Sequence, residues 1–492
     1  MAGHPADEVM SCRPWLCIAY AWVLAYVGHF DAIEPQLEHA ENAWADPERR
    51  AEIRHVAGHA ATIRGYTTAL KGDMSRAVEL ARRALEHLPE GDLRARGVAT
   101  AVLGGALKEG GDLVAAAQAL DEAISIGQAA GDSHVAVINL CDLTRLQVLQ
   151  GRLHEAVATC QYALRLADEY AGQSGWRLPV TGHVYTHLSR VLREWNDLEA
   201  ATPLAREGIQ LCRQWGWVEL LVHGGIYLAQ TLQVIGDAEG ALDAIRTARE
   251  AANGLSTRFV GLVEAHEALL WLAQGDVAAA SRWARQSGLS VRDELGFQER
   301  LRYLALARVL VARGRLDDAL GLLARLLTMA QAAGAMGYVI AILILQAIAR
   351  HAQGQDEQAL APLERALALA QPEGYVRSFI DAGLPMAQLL RQAVARGIAV
   401  DYAGKLLAAL EGEMGEEGRV TASGPSPWVE PLSERELEVL RLLTTHLSST
   451  EIAEELFISA NTVRSHVKSI YGKLNVHSRK DAVQRAQELE LV

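Results

Sequence analysis

Gly111-Asp112-Leu113-Val114-Ala115-Ala116-Ala117-Gln118-Ala119-Leu120-Asp121-Glu122-Ala123 decides the fold, because its pattern recurs along most of the chain. A small turn residue is followed five positions later by alanine, and usually seven positions after that by another small residue. The same template fits Gly72, Ala77 and Ala84; Gly151, Ala156 and Ala163; Asn196, Ala201 and Gly208; Gly236, Ala241 and Ala248; and Gly354, Ala359 and Ala366. Gly28, Gly275 and Gly314 begin looser copies. The nine turn positions lie 39 to 45 residues apart, a regularity that marks a repeat architecture.

Each unit reads as two antiparallel helices. The glycine supplies a tight turn, an Asp-Leu or Arg-Leu pair opens the second helix, and the alanine lets the two backbones approach. Further punctuation closes several units, as at Ala130-Gly131-Asp132, Gly172-Gln173-Ser174-Gly175, Asn253-Gly254 and Gln371-Pro372-Glu373-Gly374. A helical hairpin cannot bury its apolar face alone, so successive hairpins must stack into a superhelix with one continuous core. The pattern resembles a tetratricopeptide repeat of lengthened period. Such a solenoid offers a concave binding surface by geometry. Trp15, Trp22, Trp176, Trp195, Trp215, Trp217, Trp271 and Trp283 either line that groove or pack between hairpins, and the large buried area of indole favours packing. His183, His187 and His223 show no ligand spacing and read as solvated or core histidines.

Composition agrees with an all-α chain. Of 492 residues half are apolar and only 5% aromatic, with Ala, Leu, Arg and Glu abundant. A net charge of −13 excludes a protein that coats nucleic acid or anionic membrane along its length, so any DNA contact is local. Five scattered cysteines, Cys12, Cys17, Cys141, Cys160 and Cys212, fit core packing in a reducing, cytoplasmic compartment. The N-terminus has acidic residues where an export signal needs positive charge. The apolar stretch from Trp15 to Val27 is too short to span a bilayer and reads as a buried helix. No membrane partner and no cofactor are expected. We find no nucleophile paired with a base, no metal cluster and no phosphate loop, which argues against an enzyme.

Beyond Gly374 shorter helices are expected around Phe379, Pro385 to Arg396 and Tyr402 to Leu410. An acidic stretch rich in Gly and Pro follows and reads as a linker over 411–430. The expected division is therefore a repeat domain over 1–410, the linker, and a C-terminal domain over 431–492.

In that last domain Ser433-Glu434-Arg435-Glu436 is a capping box, and Leu437, Leu440 and Leu443 form the stripe of a first helix. Ser448-Ser449-Thr450-Glu451 is a second box, opening a short helix with Ile452, Ala453 and Leu456 inward. Phe457-Ile458-Ser459 makes a tight connection to a third helix, and a fourth starts near Ser478. Two helices joined by so short a turn have helix-turn-helix geometry. In the third helix Val463, Val467, Ile470 and Leu474 must pack inward, leaving Asn461, Arg464, Ser465 and Lys468 outward. Charge is segregated: residues 432–456 hold two basic and six acidic residues, whereas 457–485 hold six basic residues against Asp481 alone.

Leu432-Ser-Glu-Arg-Glu-Leu-Glu-Val-Leu, Glu451-Ile-Ala-Glu-Glu-Leu, Ile458-Ser-Ala-Asn-Thr-Val-Arg-Ser-His466 and Lys473-Leu-Asn-Val together resemble the LuxR-type DNA-binding domain. The resemblance implies that Arg464, Ser465, Lys468 and Asn461 face base edges, while Ser448, Thr450, Thr462, His466 and Lys473 lie near phosphates. It also implies a homodimer on promoter DNA, paired through the fourth helix with Arg479, Ala482, Val483 and Ala486. His446 stands where the family usually has Gly, and Ser449 where it often has Asn.

The remainder resembles large MalT-like regulators, with Arg13-Pro14-Trp15-Leu16-Cys17 and Glu373-Gly374-Tyr375-Val376-Arg377 at the two ends of their sensor region. Such regulators carry an upstream NTPase domain. This sequence has no phosphate-loop motif, Gly404-Lys405-Leu406 being the nearest fragment, so the chain is expected to begin inside the sensor. The expectation is a transcription activator, with RNA polymerase as a further partner and a small molecule or protein as effector. The alternative is a protein-binding adaptor whose DNA-binding domain is vestigial.

Overall fold

The fold is all-α: a superhelical solenoid of helix hairpins, followed by a four-helix C-terminal domain. A computed structural model of the chain describes residues 13–43, 49–175, 178–420, 432, 434–445, 447–456, 460–474, 476 and 478–488. Among these, nine hairpins follow one another. They pair α1 (Pro14–Val27) with α2 (Ile33–Asn42), α3 (Arg50–Lys71) with α4 (Met74–His87), and α5 (Leu93–Gly110) with α6 (Leu113–Ala129). Next come α7 (Ser133–Leu149) with α8 (Leu153–Ser174), α9 (Thr181–Glu194) with α10 (Leu198–Trp215), and α11 (Val218–Val234) with α12 (Ala238–Asn253). The last are α13 (Thr257–Ala273) with α14 (Val277–Gln286), α15 (Arg300–Ala312) with α16 (Leu316–Ala332), and α17 (Met336–Ala352) with α18 (Asp356–Ala370).

Every turn position read from the repeat adopts a left-handed backbone, with φ between 63° at Asn196 and 100° at Gly72. The next residue is often an aspartate whose side chain caps the second helix: Asp73, Asp112, Asp197, Asp237 and Asp276 each accept a backbone N–H from three residues on. The template alanines Ala77, Ala116, Ala156, Ala201, Ala241 and Ala359 are completely buried where the paired helices meet.

The solenoid is wound so tightly that each early turn abuts a hairpin about five units later. A Cβ at Gly28 would fall 2.5 Å from the Gly254 carbonyl oxygen, one at Gly111 would meet the Phe297 ring at 2.9 Å, and one at Gly151 would meet the Gly337 nitrogen at 3.0 Å. Gly236 and Gly354 face open space. The fifth hairpin is gripped by residues 373–378: Trp195 Nε1 donates to the Glu373 carbonyl at 2.8 Å, Val376 N to the Glu194 carbonyl at 3.0 Å, and Arg377 to Asn196 Oδ1 at 3.1 Å. The Glu373-to-Arg377 stretch is thus a strap that fastens one superhelical turn to the next.

After the strap come α19 (Arg377–Ile380), α20 (Leu384–Ala395) and α21 (Val400–Val420). The first ten residues of the expected linker continue α21, while 421–431 lie outside the described residues. The C-terminal domain comprises α22 (Glu434–Leu443), α23 (Ser449–Glu455), α24 (Ala460–Leu474) and α25 (Arg479–Glu488).

Two expectations need correction. Helix α1 is only half buried: Cys17, Ile18, Ala21, Leu24 and Ala25 enter the core, but Leu16, Tyr20, Val23 and Val27 are exposed on the other face. In α22 the buried stripe is Glu436, Val439, Leu440 and Leu443, and Leu437 is half-buried beside it. The carboxylate takes the inward position because it has partners there, described below. No helix among the described residues is long and apolar enough to cross a membrane. Cys17, Cys141, Cys160 and Cys212 are buried and form no disulfide among the described residues, and Cys12 lies outside them.

The winding makes a testable difference between two chemically identical substitutions. Gly354→Ala should cost about 1 kcal/mol, the left-handed backbone alone. Gly151→Ala adds a backbone clash with the next superhelical turn and should cost about 2–3 kcal/mol. Urea unfolding of the two variants checks this, and equal midpoints would contradict the inter-turn contact.

Candidate functional sites in the C-terminal helices and the solenoid

The short α23 is opened by a reciprocal capping box: Ser448 N donates to Glu451 Oε2 at 2.7 Å, and Glu451 N to Ser448 Oγ at 3.4 Å. Hydrogen bonding to its carboxylate, from the Ser448 backbone N–H first and then from the Ser448 side chain, holds the Glu451 carboxyl below its ordinary range. Inward packing of Val463, Ile470 and Leu474 against Val439, Leu440, Ile452 and Ala453 fixes α24 on α22 and α23. Its outer face then presents Thr462, Arg464 and Lys468 to solvent, with His466 half-buried. Thr450 is exposed at the start of α23. Asn461 and Ser465 lie on α24, but their side chains are outside the described residues, as are Ser433, His446 and residues 457–459.

Lys473, expected near a phosphate, has a carboxylate partner within the chain. Its Nζ lies 2.9 Å from Oε2 of Glu436, which is 5% exposed, and Ser469 Oγ donates to the other carboxylate oxygen at 2.6 Å. Lys473 therefore neutralises a buried charge that joins α22 to α24. The expected dimer helix also packs within its own domain. Ala482 and Ala486 are completely buried in the domain's own core, and Val483 packs partly against it. Arg479 donates to the carbonyls of Leu443 at 2.9 Å, Leu447 at 2.5 Å and Thr445 at 2.7 Å, closing the C-terminal end of α22. Small residues on α25 are small because another helix of the same chain covers them.

A second site lies inside the solenoid. A cavity of about 850 Å³ is lined by α1, α3, α5 and α7, and from the following superhelical turn by Trp217 and Glu219 of the α10–α11 region and Arg258 and Phe259 of α13. One wall is aromatic: Trp22 stacks on Tyr26 at 5.4 Å between centroids, Tyr26 meets Trp217 at 4.7 Å, and Trp217 Nε1 donates to Tyr66 Oη at 2.9 Å. Burial pushes the Tyr26 phenol up to about 12. The tryptophans thus divide. Trp15, Trp22 and Trp217 line the cavity; Trp283 is core, Trp195, Trp215 and Trp271 pack between helices, and Trp176 lies outside the described residues.

Another part of the lining carries fixed charge. Lys108, 3% exposed, pairs with Asp142 at 2.6 Å; Arg145 reaches Glu109 at 3.3 Å and Asp142 at 3.4 Å; and Glu109 also holds Arg258 at 2.8 Å and Arg300 at 3.3 Å. Burial alone would raise the Glu109 carboxyl, but Arg300, Arg258, Lys108 and Arg145 together hold it well below the usual carboxylate range. Glu219 goes the other way, burial outweighing Arg145. Asn139 donates to the Val135 carbonyl, yet its buried Oδ1, also at the cavity, has no hydrogen-bond partner among the described residues.

His183, His187 and His223 prove to be core histidines. Burial lowers all three, His183 to about 3, so they are neutral in the folded chain. His187 and His183 share a hydrogen bond of 2.8 Å, and Arg145 lies 3.3 Å from His223. The sequence reading also missed a cluster at the cavity's rim, His55, His59 and Asp92. The His-x-x-x-His spacing was visible, and Asp92 stands about one repeat further on, which is where the adjoining hairpin places its neighbours. Burial lowers His59. Burial would raise Asp92, but the Ala95 N–H and His55 outweigh it.

Residues 58–396 match the MalT-like TPR region family, and residues 430–486 match the luxR family of bacterial regulatory proteins. Among curated proteins the chain is similar to the HTH-type transcriptional regulator MalT of Yersinia enterocolitica, 26% identical over 97% of this chain and 54% of the relative. It is similar to that of Serratia proteamaculans at 25% with the same coverage. The chain spans about half the length of these curated relatives. Among solved structures, a Rap protein complexed with competence and sporulation factor aligns at TM-score 0.41 and 10% identity, over 75% of this chain and 99% of that one. A STAND protein with a tetratricopeptide repeat sensor from Pyrococcus horikoshii aligns at 0.35 and 13%, over 71% and 54%.

Two expectations follow from these geometries. Lys473→Ala removes the cation from a buried carboxylate and should destabilise the C-terminal domain by about 3 kcal/mol. Adding Glu436→Leu should restore much of that loss, and a double-variant cycle on the thermal melt measures the coupling. The second concerns acid. Between about pH 6.5 and 5 the unfolded chain gains protons on His183, His187 and His223 that the folded chain refuses, so stability falls as pH falls. The slope is at most about 1.4 kcal/mol per pH unit for each histidine. Melting curves over this range should flatten for the double variant His183→Gln/His187→Gln, whereas Glu219, shifted in the opposite sense, is unchanged in both.

Proposed function

We propose a function from one premise: the chain belongs to the MalT-like TPR region family and ends in a domain matching the luxR family of regulatory proteins. The protein is a sequence-specific DNA-binding transcription regulator. Residues 1–410 form its sensor, 411–430 join it to the reading domain, and 431–492 bind promoter DNA. It works in the cytoplasm, where it activates transcription in contact with RNA polymerase. Arg464, Lys468, Asn461 and Ser465 read base edges from α24, and Ser448, Thr450, Thr462 and His466 meet phosphates. Arg464 suits bidentate contact with guanine. Two copies pair on DNA through the outer face of α25, which Val483 borders, since its alanines are committed to the core.

The observation that carries the reading is the division of α24 into a buried apolar face and an exposed face with Arg464 and Lys468, held against a capped α23. The effector is a small molecule rather than a protein. A cavity of about 850 Å³ has the dimensions of a small-ligand site. Its aromatic wall suits an apolar or planar face, and its fixed charges with the unsatisfied Asn139 oxygen suit polar substituents.

The experiment starts by selecting bound duplexes from random DNA with the full chain, then titrates one against salt. Log affinity should fall with log salt at about −0.9 per phosphate neutralised. Arg464→Ala should weaken the selected duplex by about 1–3 kcal/mol while scarcely changing binding to random sequence. Failure to retain any duplex at low salt would overturn the reading in favour of an adaptor.

A further inference from the structure

The cavity rim holds three metal-ligating side chains that the reading above does not use. His55 and His59 lie one turn apart on α3, so their rings project from the same face. Asp92 caps α5 in the next hairpin. Its Oδ1 accepts the Ala95 N–H at 3.0 Å, which leaves Oδ2 aimed at both imidazoles: His55 Nε2 is 2.6 Å away and His59 Nε2 3.4 Å. One ligand atom from each residue falls within 4.8 Å of the others.

A hydrogen bond accounts for only half of this arrangement. His55 is well bonded to Asp92, but His59 stands beyond good hydrogen-bond distance from an oxygen already occupied. Two imidazole nitrogens and a carboxylate oxygen converging from two hairpins is instead the donor set of a zinc-type site. Tetrahedral bonds of about 2.0–2.1 Å place ligand atoms roughly 3.3 Å apart. His59 already has that spacing from Asp92, and His55 reaches it by exchanging its shared proton for an ion and opening by less than an ångström. The cluster is also supported. The Trp15 ring meets His55 at 4.8 Å and His59 at 5.2 Å, edge to face in both cases, which limits the rotamers of the two rings. The capping bond fixes the carboxylate of Asp92 in the same way.

We propose that His55, His59 and Asp92 bind one divalent transition-metal ion of the zinc class at the rim of the solenoid cavity. Three protein ligands leave a fourth position, as in zinc sites that exchange a ligand. All three side chains line the cavity, so that position takes water or an oxygen or nitrogen donor from the cavity's occupant. The ion binds whether or not an effector is present.

Co²⁺ and Zn²⁺ titrations of the full chain test the site. Wild type should bind one Co²⁺ per chain with the visible absorption of a tetrahedral ion, and Zn²⁺ should displace it. His55→Gln and His59→Gln should each weaken binding at least about tenfold, consistent with loss of one ligand. Asp92→Asn keeps the helix cap and should lose the ion with its fold intact by circular dichroism. His39→Gln, an exposed histidine elsewhere, should bind as wild type does. Zn²⁺ should raise the melting temperature of wild type and not of His55→Gln/His59→Gln. Equal stoichiometry and affinity in wild type and that double variant would overturn the proposal, as would absence of tetrahedral absorption in wild type.

Discussion

The close approach of successive superhelical turns governs the rest of the solenoid. A left-handed turn residue joins every hairpin, but its conformation alone asks only for a glycine or, as at Asn196, an asparagine. At Gly28, Gly111 and Gly151 a second demand appears, because a later hairpin occupies the space where a side chain would begin. Helix backbones therefore meet across roughly five repeats. That contact brings Glu109 beside Arg258 and Arg300, seats Trp217 on Tyr66, and places Glu219 within 3.1 Å of the Tyr66 hydroxyl. Without the tight winding Trp217, Glu219, Arg258 and Phe259 would leave the site, and the cavity would lose the side they close.

The periodicity of the sequence made the hairpins legible, since one glycine, one alanine and one cap recur at each unit. It carried no such sign of the pitch. Pitch is set by small rotations between neighbouring hairpins, and residues some 150 to 190 apart have no shared pattern that would pair them. The tryptophans show the consequence. An indole at Trp22 or Trp217 has the same composition signal as one at Trp283, and only the curvature separates a cavity wall from a packed interior. The His55, His59 and Asp92 cluster is an intermediate case: the first two share a helix face, and the third is reached by knowing that neighbouring repeats align.

In the C-terminal domain the helices and the outward face of α24 were legible because capping residues and apolar spacing act locally. What the pattern did not show is that some charged side chains turn inward. Glu436 displaces Leu437 from the buried stripe because Ser469 and Lys473 satisfy it, and Lys473 is drawn inward by the same bond. Arg479 is likewise spent on carbonyls at the end of α22. A family resemblance supplies positions, but it does not say which of two basic residues finds its anion within the chain. Arg464 and Lys468, by contrast, are exposed on the outer face of α24.

The same logic gives the cavity its leverage. Its walls belong to two superhelical turns, so anything held there touches both, and its binding energy depends on the distance between them. A fully charged wall resists collapse, because closing the cavity around Glu109, Asp142 and their cationic partners without a ligand would desolvate them further. The neutral histidines behind that wall add polar contact without adding charge. The strap at residues 373–378 clasps the fifth hairpin and leads directly into the helices that end in α21. Spacing between turns is therefore the one internal coordinate that the cavity, the strap and the chain leaving the solenoid have in common.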